Sequence, residues 1–398
     1  MHTGKPHIVV AGHICLDIIP AMGGGPGGLA RLLMPGALVE VGPPVLSTGG
    51  AVSNTGQALH RLGVPTRLMG KIGDDLFGQA ILAVLRRQSA ELAEGMLVAP
   101  GEPSSYTLVI SPPGVDRVFL HCPGANDTFS ARDIPYTELA GTRLFHFGYP
   151  PLMRRMYSDG GVELEAVFRQ VRQQGAATSL DMARPDPASA AGRADWRAIL
   201  PRVLPHVDVF LPSFEETLFM LDRGRYNRLS AGDDLLAQCD GALLAELAES
   251  LLGMNAGIVG LKLGDKGLYV RTTRDAGRLM ALHTATGCPL DDWVGRELWT
   301  PCFEVSVAGT TGCGDATIAG FLVGLLGGMS PEQTLTAAVA VGACAAEQPD
   351  ATSGVPTWAD VQGRVRGGWS KRSNKLNWPG WRWDAAAMVA IGPADRTH

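Results

Sequence analysis

The sequence predicts an α/β protein in which a mainly parallel sheet lies between two layers of helices. Three observations favour this fold class. Short apolar runs of strand length alternate with longer segments of helix length over most of the chain. The chain has 398 residues, 45% of them apolar and 18% charged, which is enough to bury one large core. Two further runs of alternating residues fall outside this rhythm and predict a small β-sheet, added to the core as a lid.

The predicted elements follow one another along the chain. The apolar run 7–12 ends in glycine and is typical of a buried first strand. The lid strands are predicted within about 13–48 and 104–122, with a break at the Gly/Pro-rich segment 23–28. The predicted helices are 51–62, 77–88, 162–174, 241–252, 314–326 and 331–346, and the predicted core strands are 66–70, 143–147, 177–181, 207–211, 257–261 and 267–271. Because parallel sheets bind ligands beyond the carboxyl ends of their strands, we expect the chemistry just after strands.

Two segments break the alternation. Residues 281–302 fit neither period and are predicted to be an inserted loop. Residues 369–383 hold four of the eight tryptophans, and this density favours a tail that packs on the core over a disordered one. We therefore divide the chain into a catalytic domain, 1–364, and a C-terminal extension, 365–398.

Charge and cysteine usage exclude several classes of protein. A formal net charge of −5 gives no overall attraction to nucleic acid or to an anionic membrane. The seven cysteines are scattered singly, without CxxC pairs or zinc-finger spacing, which favours reduced thiols. No long apolar run or leader-like start is present. We expect a soluble, cytoplasmic protein with neither nucleic-acid nor membrane partners.

The most informative segment is a loop of small residues before a helix. The run CFEVSV enters this loop, and the apolar helix ATIAGFLVGLL leaves it. Backbone N–H groups at Gly312, Cys313 and Gly314, together with the helix N-terminus, predict an anion hole. Asp315 stands at its mouth and could take the proton of an attacking hydroxyl. Asp is equally a preferred N-cap residue, so the residues alone leave a base and a helix cap as alternatives.

At this point a family resemblance appears. Residues 309–322 (GTTGCGDATIAGFL) resemble the C-terminal signature of the ribokinase-like (PfkB-type) sugar kinases. Residues 49–63 (GGAVSNTGQALHRLG) and 70–78 (GKIGDDLFG) resemble the N-terminal signature, and the resemblance spans roughly residues 7–360. It implies a three-layer α/β/α core with a small lid. It also implies Mg2+-dependent transfer of the γ-phosphoryl group of ATP to a hydroxyl, a primary one by preference, of a sugar or sugar derivative. Asp315 would be the base, and the 312–314 amides would stabilise the phosphoryl group.

The resemblance also assigns binding residues. The substrate-binding positions that it implies are Asp17, Gly49, Gly50, Asn54 and Asn126. The nucleotide-binding positions are Lys262, Gly264, Gly267, Thr310 and Ser213, and Glu216 would act on the metal ion through water. Several of them have a structural alternative: a surface turn for Asp17 and Asn126, a glycine turn that starts a helix for 49–54, and an ordinary partly buried or solvated lysine for Lys262.

Departures from the family pattern qualify these assignments. Ser213 replaces the asparagine of the family's N-x-x-E motif. Gly309 replaces an aspartate that in relatives helps to form a monovalent-cation site, which argues against potassium activation. Cys313 replaces a small residue, and we interpret it as tolerated rather than as a redox-sensitive thiol. The family often dimerises through its lid, so a homodimer is part of what the resemblance implies.

Other functions find less support. The chain lacks the P-loop motif, a G-x-G-x-x-G after the first strand, and the HExxH and hydrolase signatures. Within the same fold, a nucleoside kinase is the alternative; outside it, a non-catalytic sugar- or nucleotide-binding regulator. His13, His121 and His146 follow strand-like runs and could face a cleft, but we leave them outside the site because lone histidines are more often structural.

Overall fold

The computed structural model describes residues 7–23, 34–113, 118–232, 235–373 and 378–396. Residues 24–28 of the predicted Gly/Pro-rich break lie outside this part. In chain order, the first strands are β1 Ile8–Gly12, β2 Cys15–Pro20, β3 Pro44–Gly49, β4 Thr66–Met69, β5 Lys71–Gly73, β6 Leu97–Ala99, β7 Tyr106–Ile110 and β8 Val118–Cys122. The later strands are β9 Leu144–Gly148, β10 Ala177–Leu180, β11 Val209–Phe210, β12 Ile258–Lys262, β13 Leu268–Thr272, β14 Glu297–Thr300, β15 Arg382–Asp384 and β16 Val389–Ile391.

The helices alternate with these strands. They are α1 Ala51–Arg61, α2 Leu76–Gln88, α3 Arg154–Tyr157, α4 Val162–Gln173, α5 Ala190–Arg193, α6 Trp196–Val203 and α7 Phe214–Leu221, followed by α8 Arg223–Leu229, α9 Gly241–Gly253, α10 Ala276–Thr286, α11 Leu290–Trp293, α12 Cys313–Leu326, α13 Pro331–Ala346 and α14 Trp358–Arg366. Local sequence sets several of the starts. Asp75 and Asp240 cap α2 and α9 by accepting backbone N–H bonds. Ser330 and Gln333 form a capping box on α13, with Pro331 in its first turn.

A ten-stranded sheet forms the centre of the molecule, in the order β4-β1-β9-β10-β11-β12-β13-β14-β16-β15. The strands from β4 to β12 pair in parallel, and those beyond β12 pair antiparallel. The carboxyl ends of the parallel strands therefore lie along one edge. That edge is where a ligand site is expected.

Both faces of this sheet are covered. In β1, Ile8 and Val10 pack into one apolar cluster, while Val9 and Ala11 pack into the other. This alternation follows from the two-residue period of a strand, and all four side chains are apolar because both faces are buried. One cluster includes residues of α1, α2, α12 and α13, and the other includes residues of α4, α6, α7 and α9. The predicted three-layer α/β/α fold with a parallel-dominated sheet is confirmed.

A second, four-stranded sheet in the order β3-β2-β7-β8 forms the predicted lid. Strand β2 pairs antiparallel with β3 and parallel with β7, and β7 pairs antiparallel with β8. Strand β3 begins at Pro44, opposite Pro20, so residues 38–43 of the predicted lid segment 13–48 form no strand. Residues 116–117 of the predicted last lid strand lie outside the described part of the chain.

The prediction of an inserted loop over 281–302 is wrong. This segment contains the end of α10, the short helix α11 and strand β14, and β14 pairs with β13 inside the central sheet. Trp293 is fully buried and packs edge-on against Phe321. Strand β14 begins with Glu297 and ends with Thr300, whose polar side chains are buried through hydrogen bonds to the Tyr269 hydroxyl and the Met388 carbonyl oxygen. It therefore lacks the apolar run by which the other core strands could be predicted. The helix predicted to begin at residue 314 begins at Cys313.

The C-terminal extension is part of the central sheet. Strand β16 pairs with β14, and β15 pairs with β16 at the sheet edge. Trp378 packs against Trp299 at 5.8 Å between ring centroids, and Trp381 packs against Tyr269 at 6.0 Å. The seven cysteines are all free thiols. No helix in the described ranges is both long and apolar enough to cross a membrane.

Candidate active site

Asp315 occupies the first turn of α12 but does not cap it. The N-cap is Gly312, whose φ of 74° lies in the left-handed region, and a Cβ there would come within 2.5 Å of the Ala351 carbonyl oxygen. No side chain makes an N-cap hydrogen bond. Asp315 is therefore not the helix cap, and its carboxylate makes its hydrogen bonds with other side chains.

The Asp315 carboxylate accepts hydrogen bonds from three other side chains. Asn54 Nδ2 donates to Oδ2 at 3.0 Å, and Thr55 Oγ1 donates to Oδ1 at 3.2 Å. The Tyr149 hydroxyl lies 2.9 Å from both oxygens. Asp315 is only 3% exposed. Burial raises the pKa of its carboxyl group above the ordinary value, and the donors Asn54, Tyr149 and Thr55, together with the charge of Lys262, oppose this shift.

Tyr149 was not predicted from the sequence. It follows β9 directly, and its backbone is left-handed, with φ 63° and ψ 43°. A bulky residue in this region is strained, and such strain persists where surrounding contacts hold the residue in place. Here the hydrogen bonds to Asp315 direct the phenol into the site. The signal in the sequence is its position, because Tyr149 directly follows a parallel strand and ligand sites lie beyond the carboxyl ends of such strands.

We expect Tyr149→Phe to lower kcat by about tenfold, since a hydrogen bond to a charged group contributes about 1.5–3 kcal/mol. A donor stabilises the charged carboxylate, so its removal raises the pKa of Asp315 further. The fall of kcat/KM on the acid side should then move to higher pH. A pH–rate profile measures this shift. Tyr157→Phe, whose ring packs on Trp196, is the control. An unchanged acid limb in Tyr149→Phe would contradict the contact.

A cleft of about 580 Å³ opens beside the N-terminus of α12. Its lining includes most of the predicted nucleotide and anion-hole positions: Lys262, Gly264, Gly267, Thr310, Cys313 and Gly314. The tail adds Arg372 and Ser373, which sequence reasoning missed, and Arg372 pairs with Asp265 at 2.9 Å. The helix N-terminus presents first-turn N–H groups and a partial positive charge to this cleft.

Lys262 is buried rather than solvated. Its Nζ lies 2.6 Å from Asp181 Oδ1 and donates to the Leu211 carbonyl oxygen at 2.8 Å. The two side chains are 12% and 1% exposed. Burial alone would lower the pKa of Lys262, but the carboxylates of Asp181 and Glu216 outweigh it and raise the pKa. The lysine is therefore a fixed positive charge in the lining of the cleft. Its Cε and Cδ atoms lie close to Gly314, at 3.7 and 3.8 Å from the position that a Cβ on this glycine would take.

Ser213 and Glu216 hold the start of α7 together. Ser213 caps α7, and the pair forms a capping box in which Ser213 N–H donates to Glu216 Oε2 at 2.7 Å. Ser213 does not line the cleft. Burial raises the pKa of Glu216, against the attraction of Lys262. Because Glu216 Oε2 already accepts the Ser213 N–H, this carboxylate is better suited to hold a water molecule bound to Mg2+ than to coordinate the ion directly.

The lid side of the site centres on Asp17. Gly49 and Gly50 precede α1, and a Cβ on Gly49 would come within 2.3 Å of Asp17 Oδ2. A Cβ on Gly50 would come within 2.5 Å of His13, so both glycines are required by close packing. Burial raises the pKa of Asp17 to about 6, while hydrogen bonds from Cys15 and Thr107 oppose the shift. Helix α1 then carries Asn54 and Thr55 to Asp315, which links the lid to the predicted base.

Asn126 is fully buried and does not point into open space. Its side chain bonds the backbone N–H and carbonyl of Ile14 at 3.2 and 2.9 Å and the Pro123 carbonyl at 3.1 Å. It therefore holds the corner between β1 and β2, and the prediction of direct substrate contact is not what this geometry favours. His146 is also structural, since its Nδ1 lies 3.0 Å from Ser179 Oγ and burial lowers its pKa to about 3.

Comparisons with known proteins show the family and the fold of this chain. A family model described as pfkB family carbohydrate kinase matches residues 5–358. The 2-dehydro-3-deoxygluconokinase of Bacillus subtilis is 25% identical over 338 residues, which are 81% of this chain and 87% of that protein. A ribokinase of Arabidopsis thaliana, solved with ribose and ATP, superposes with a TM-score of 0.68 at 17% identity and covers 91% of this chain and 99% of that one. A ribokinase II from E. coli, solved with ATP and Mg2+, superposes with a TM-score of 0.64 at 19% identity, with coverage of 91% and 99%.

Proposed function

This chain belongs to the pfkB family of carbohydrate kinases, and we propose that it transfers the γ-phosphoryl group of ATP to a hydroxyl of a sugar or sugar derivative, a primary hydroxyl by preference. The observation that carries the proposal is the buried Asp315 carboxylate at the N-terminus of α12, beside the 580 Å³ cleft. A base and an anion-binding helix end are thus adjacent. Phosphoryl transfer needs both.

Asp315 acts as the general base in this proposal. A carboxylate offers about four lone-pair sites, while Asn54, Thr55 and Tyr149 together donate three hydrogens, because one phenol can donate to only one oxygen at a time. One lone pair therefore remains for the substrate hydroxyl. As the proton passes to Asp315, the hydroxyl oxygen forms a bond to the γ-phosphorus, and the bond from phosphorus to the bridging oxygen breaks and releases ADP.

The cleft side stabilises the transferring group. The first-turn amides of α12, among them that of Gly314, and the fixed charge of Lys262 face the cleft from one side. Mg2+, when bound, neutralises negative charge on the nucleotide phosphates, and Glu216 would hold it through water. On the lid side, the Asp17 carboxylate would accept hydrogen bonds from substrate hydroxyls.

The acceptor is best identified by an ADP-release assay with Mg2+ and ATP. The panel comprises pentoses, hexoses, deoxy sugar acids, sugar phosphates and nucleosides, because a nucleoside kinase is the alternative within the fold. We expect acceptor-dependent release for at least one sugar or sugar acid. Release only with nucleosides would establish the alternative. ATP binding without release for any acceptor would contradict the proposed reaction.

The lid also supports a homodimer. Leu46 and Leu120 are 43% and 51% exposed on its two outer strands. The register through Ile18 and Leu108 places both side chains on one face, and exposed apolar residues of this kind often mark interfaces. A second copy of this chain is the partner that we propose for this face. Sedimentation velocity of the wild-type protein measures the mass directly.

A further inference from the structure

Two histidines and a cysteine converge beside Asp17. Cys15 and Asp17 occupy alternate positions in β2, so the period of the strand places their side chains on one face. His13 lies two residues before Cys15, in the turn that leads into β2. His121 reaches the same place from β8. In the lid register, Asp17 lies opposite Thr107 on β7, and Thr107 lies opposite His121. The sequence shows no zinc spacing, and the cluster appears only when β2, β7 and β8 pair.

The possible ligand atoms of these three residues lie close together. One nitrogen of each histidine and Cys15 Sγ all lie within 4.8 Å of one another. His13 Nε2 and His121 Nε2 are 3.3 Å apart. Zn–N bonds of about 2.0–2.1 Å in a tetrahedral site place two nitrogens roughly 3.3–3.4 Å apart. The same distance is long for a hydrogen bond between two rings.

We propose that His13, Cys15 and His121 form a Zn2+ site at the junction of the lid and the core, with a fourth position left for water within reach of Asp17. Two imidazole nitrogens and one thiolate suit a borderline-soft ion and suit Mg2+ poorly, since Mg2+ prefers oxygen ligands. Three protein ligands with one open position is the pattern of zinc sites that keep an exchangeable ligand. The site is separate from the one that Mg2+-ATP would use.

The surroundings prepare these ligands. Thr107 Oγ1 lies 3.0 Å from His121 Nδ1, which orients the ring and leaves Nε2 directed at His13. Thr107 Oγ1 also lies 3.5 Å from Cys15 Sγ, and Asp17 Oδ1 lies 3.3 Å from that sulfur and accepts a hydrogen bond from it. His13 and Cys15 are buried, while His121 is exposed and gives an ion a path of entry. His13 Nδ1 is buried and has no hydrogen-bond partner.

Occupancy would have a structural effect. His13 lies in the turn between β1 of the core and β2 of the lid, whereas His121 lies on β8 at the lid's far edge. An ion bound by both would connect the outer lid strand to the core. It would also place positive charge next to the Asp17 carboxylate. The lid and the sugar side of the cleft would then be fixed together.

The test uses Co2+ as a probe, added to the full-length, metal-free protein under reducing conditions without sugar or nucleotide. We expect one equivalent to give the visible bands of tetrahedral Co2+ and a thiolate-to-metal charge-transfer band, both removed by Zn2+. Cys15→Ser should remove the charge-transfer band. His121→Ala should weaken binding by at least about 100-fold, since even changes outside the ligand set cost about 10–100-fold. Cys122→Ser, one residue along β8 from His121, should bind as wild type.

His121→Ala keeps the test decisive if Cys15→Ser fails to fold, because His121 is exposed on an outer strand. Absence of both bands in the wild-type protein would overturn the site and leave only a hydrogen bond between the two histidines. Wild-type bands in Cys15→Ser or in His121→Ala would overturn it equally. Because no sugar or nucleotide is present, the result is independent of the kinase reaction proposed above.

Discussion

Replacing Asp315 with asparagine is expected to lower kcat by at least about 10²-fold and up to about 10⁴-fold, the range that general-base catalysis contributes. The substitution keeps the size of the side chain but removes the charge that takes the proton. The new amide also has an NH2 group, which is a donor, in place of one carboxylate oxygen. It would therefore face a donor, either Asn54 on one side or Thr55 and Tyr149 on the other, and that hydrogen bond would be lost. Nucleotide binding should persist, because Asp315 does not line the cleft. Steady-state kinetics with the acceptor found in the panel, together with calorimetric titration of ATP, measure the two effects separately.

A matched control is available in the same cleft. Asp265 lines it and pairs with Arg372, but this carboxylate is exposed and touches none of the groups around Asp315. Asp265→Asn should therefore retain kcat within a few-fold. General-base catalysis contributes about 10²-fold or more. If Asp315→Asn kept more than about a tenth of the wild-type kcat, Asp315 would therefore not be the base. A fall in both variants alike would point to nucleotide binding instead.

The sequence was most informative at its glycine-containing motifs. The loop 309–315 and the pair Gly49–Gly50 could be recognised because glycine is needed where a backbone turns left-handed or where Asp17 and His13 approach closely. The alternation of strands and helices was enough for the three layers. Strand β14 could not be predicted because the polar Glu297 and Thr300 interrupt its apolar pattern. The tail strands form only by pairing with one another and with β14.

The missed site residues share one cause. Tyr149 and Asp181 each follow a parallel strand directly, yet their partners Asp315 and Lys262 lie 166 and 81 residues away in the chain. Contacts over such separations are fixed by the order of strands in the sheet, which one sequence does not show. The cluster of His13, Cys15 and His121 was missed for the same reason. Asn126 is a different case, because the motif predicted substrate contact and the structure shows its side chain bonded to the Ile14 backbone.

The buried pair of Lys262 and Asp181 carries the second large prediction. Lys262→Met leaves the Asp181 carboxylate without its cation in a site that is 1% exposed. Removing one partner of a buried ion pair typically costs about 3–5 kcal/mol, because the other charge stays desolvated. We expect the free energy of unfolding in urea to fall by that amount. Lys266→Met, in the same loop with its ammonium group on the Leu236 carbonyl oxygen, is the control and should lose much less.

The double variant Lys262→Met/Asp181→Asn separates stability from catalysis. Neutralising Asp181 removes the unpaired charge, so most of the lost stability should return. The positive charge beside Gly314 stays absent, and kcat should remain about 10²-fold low, as when one fixed donor to a transition-state anion is removed. If kcat recovered together with stability, the lysine would serve only to neutralise Asp181. If kcat stayed low in a stable protein, the same ammonium group would both balance a buried carboxylate at rest and stabilise the phosphoryl group in transfer.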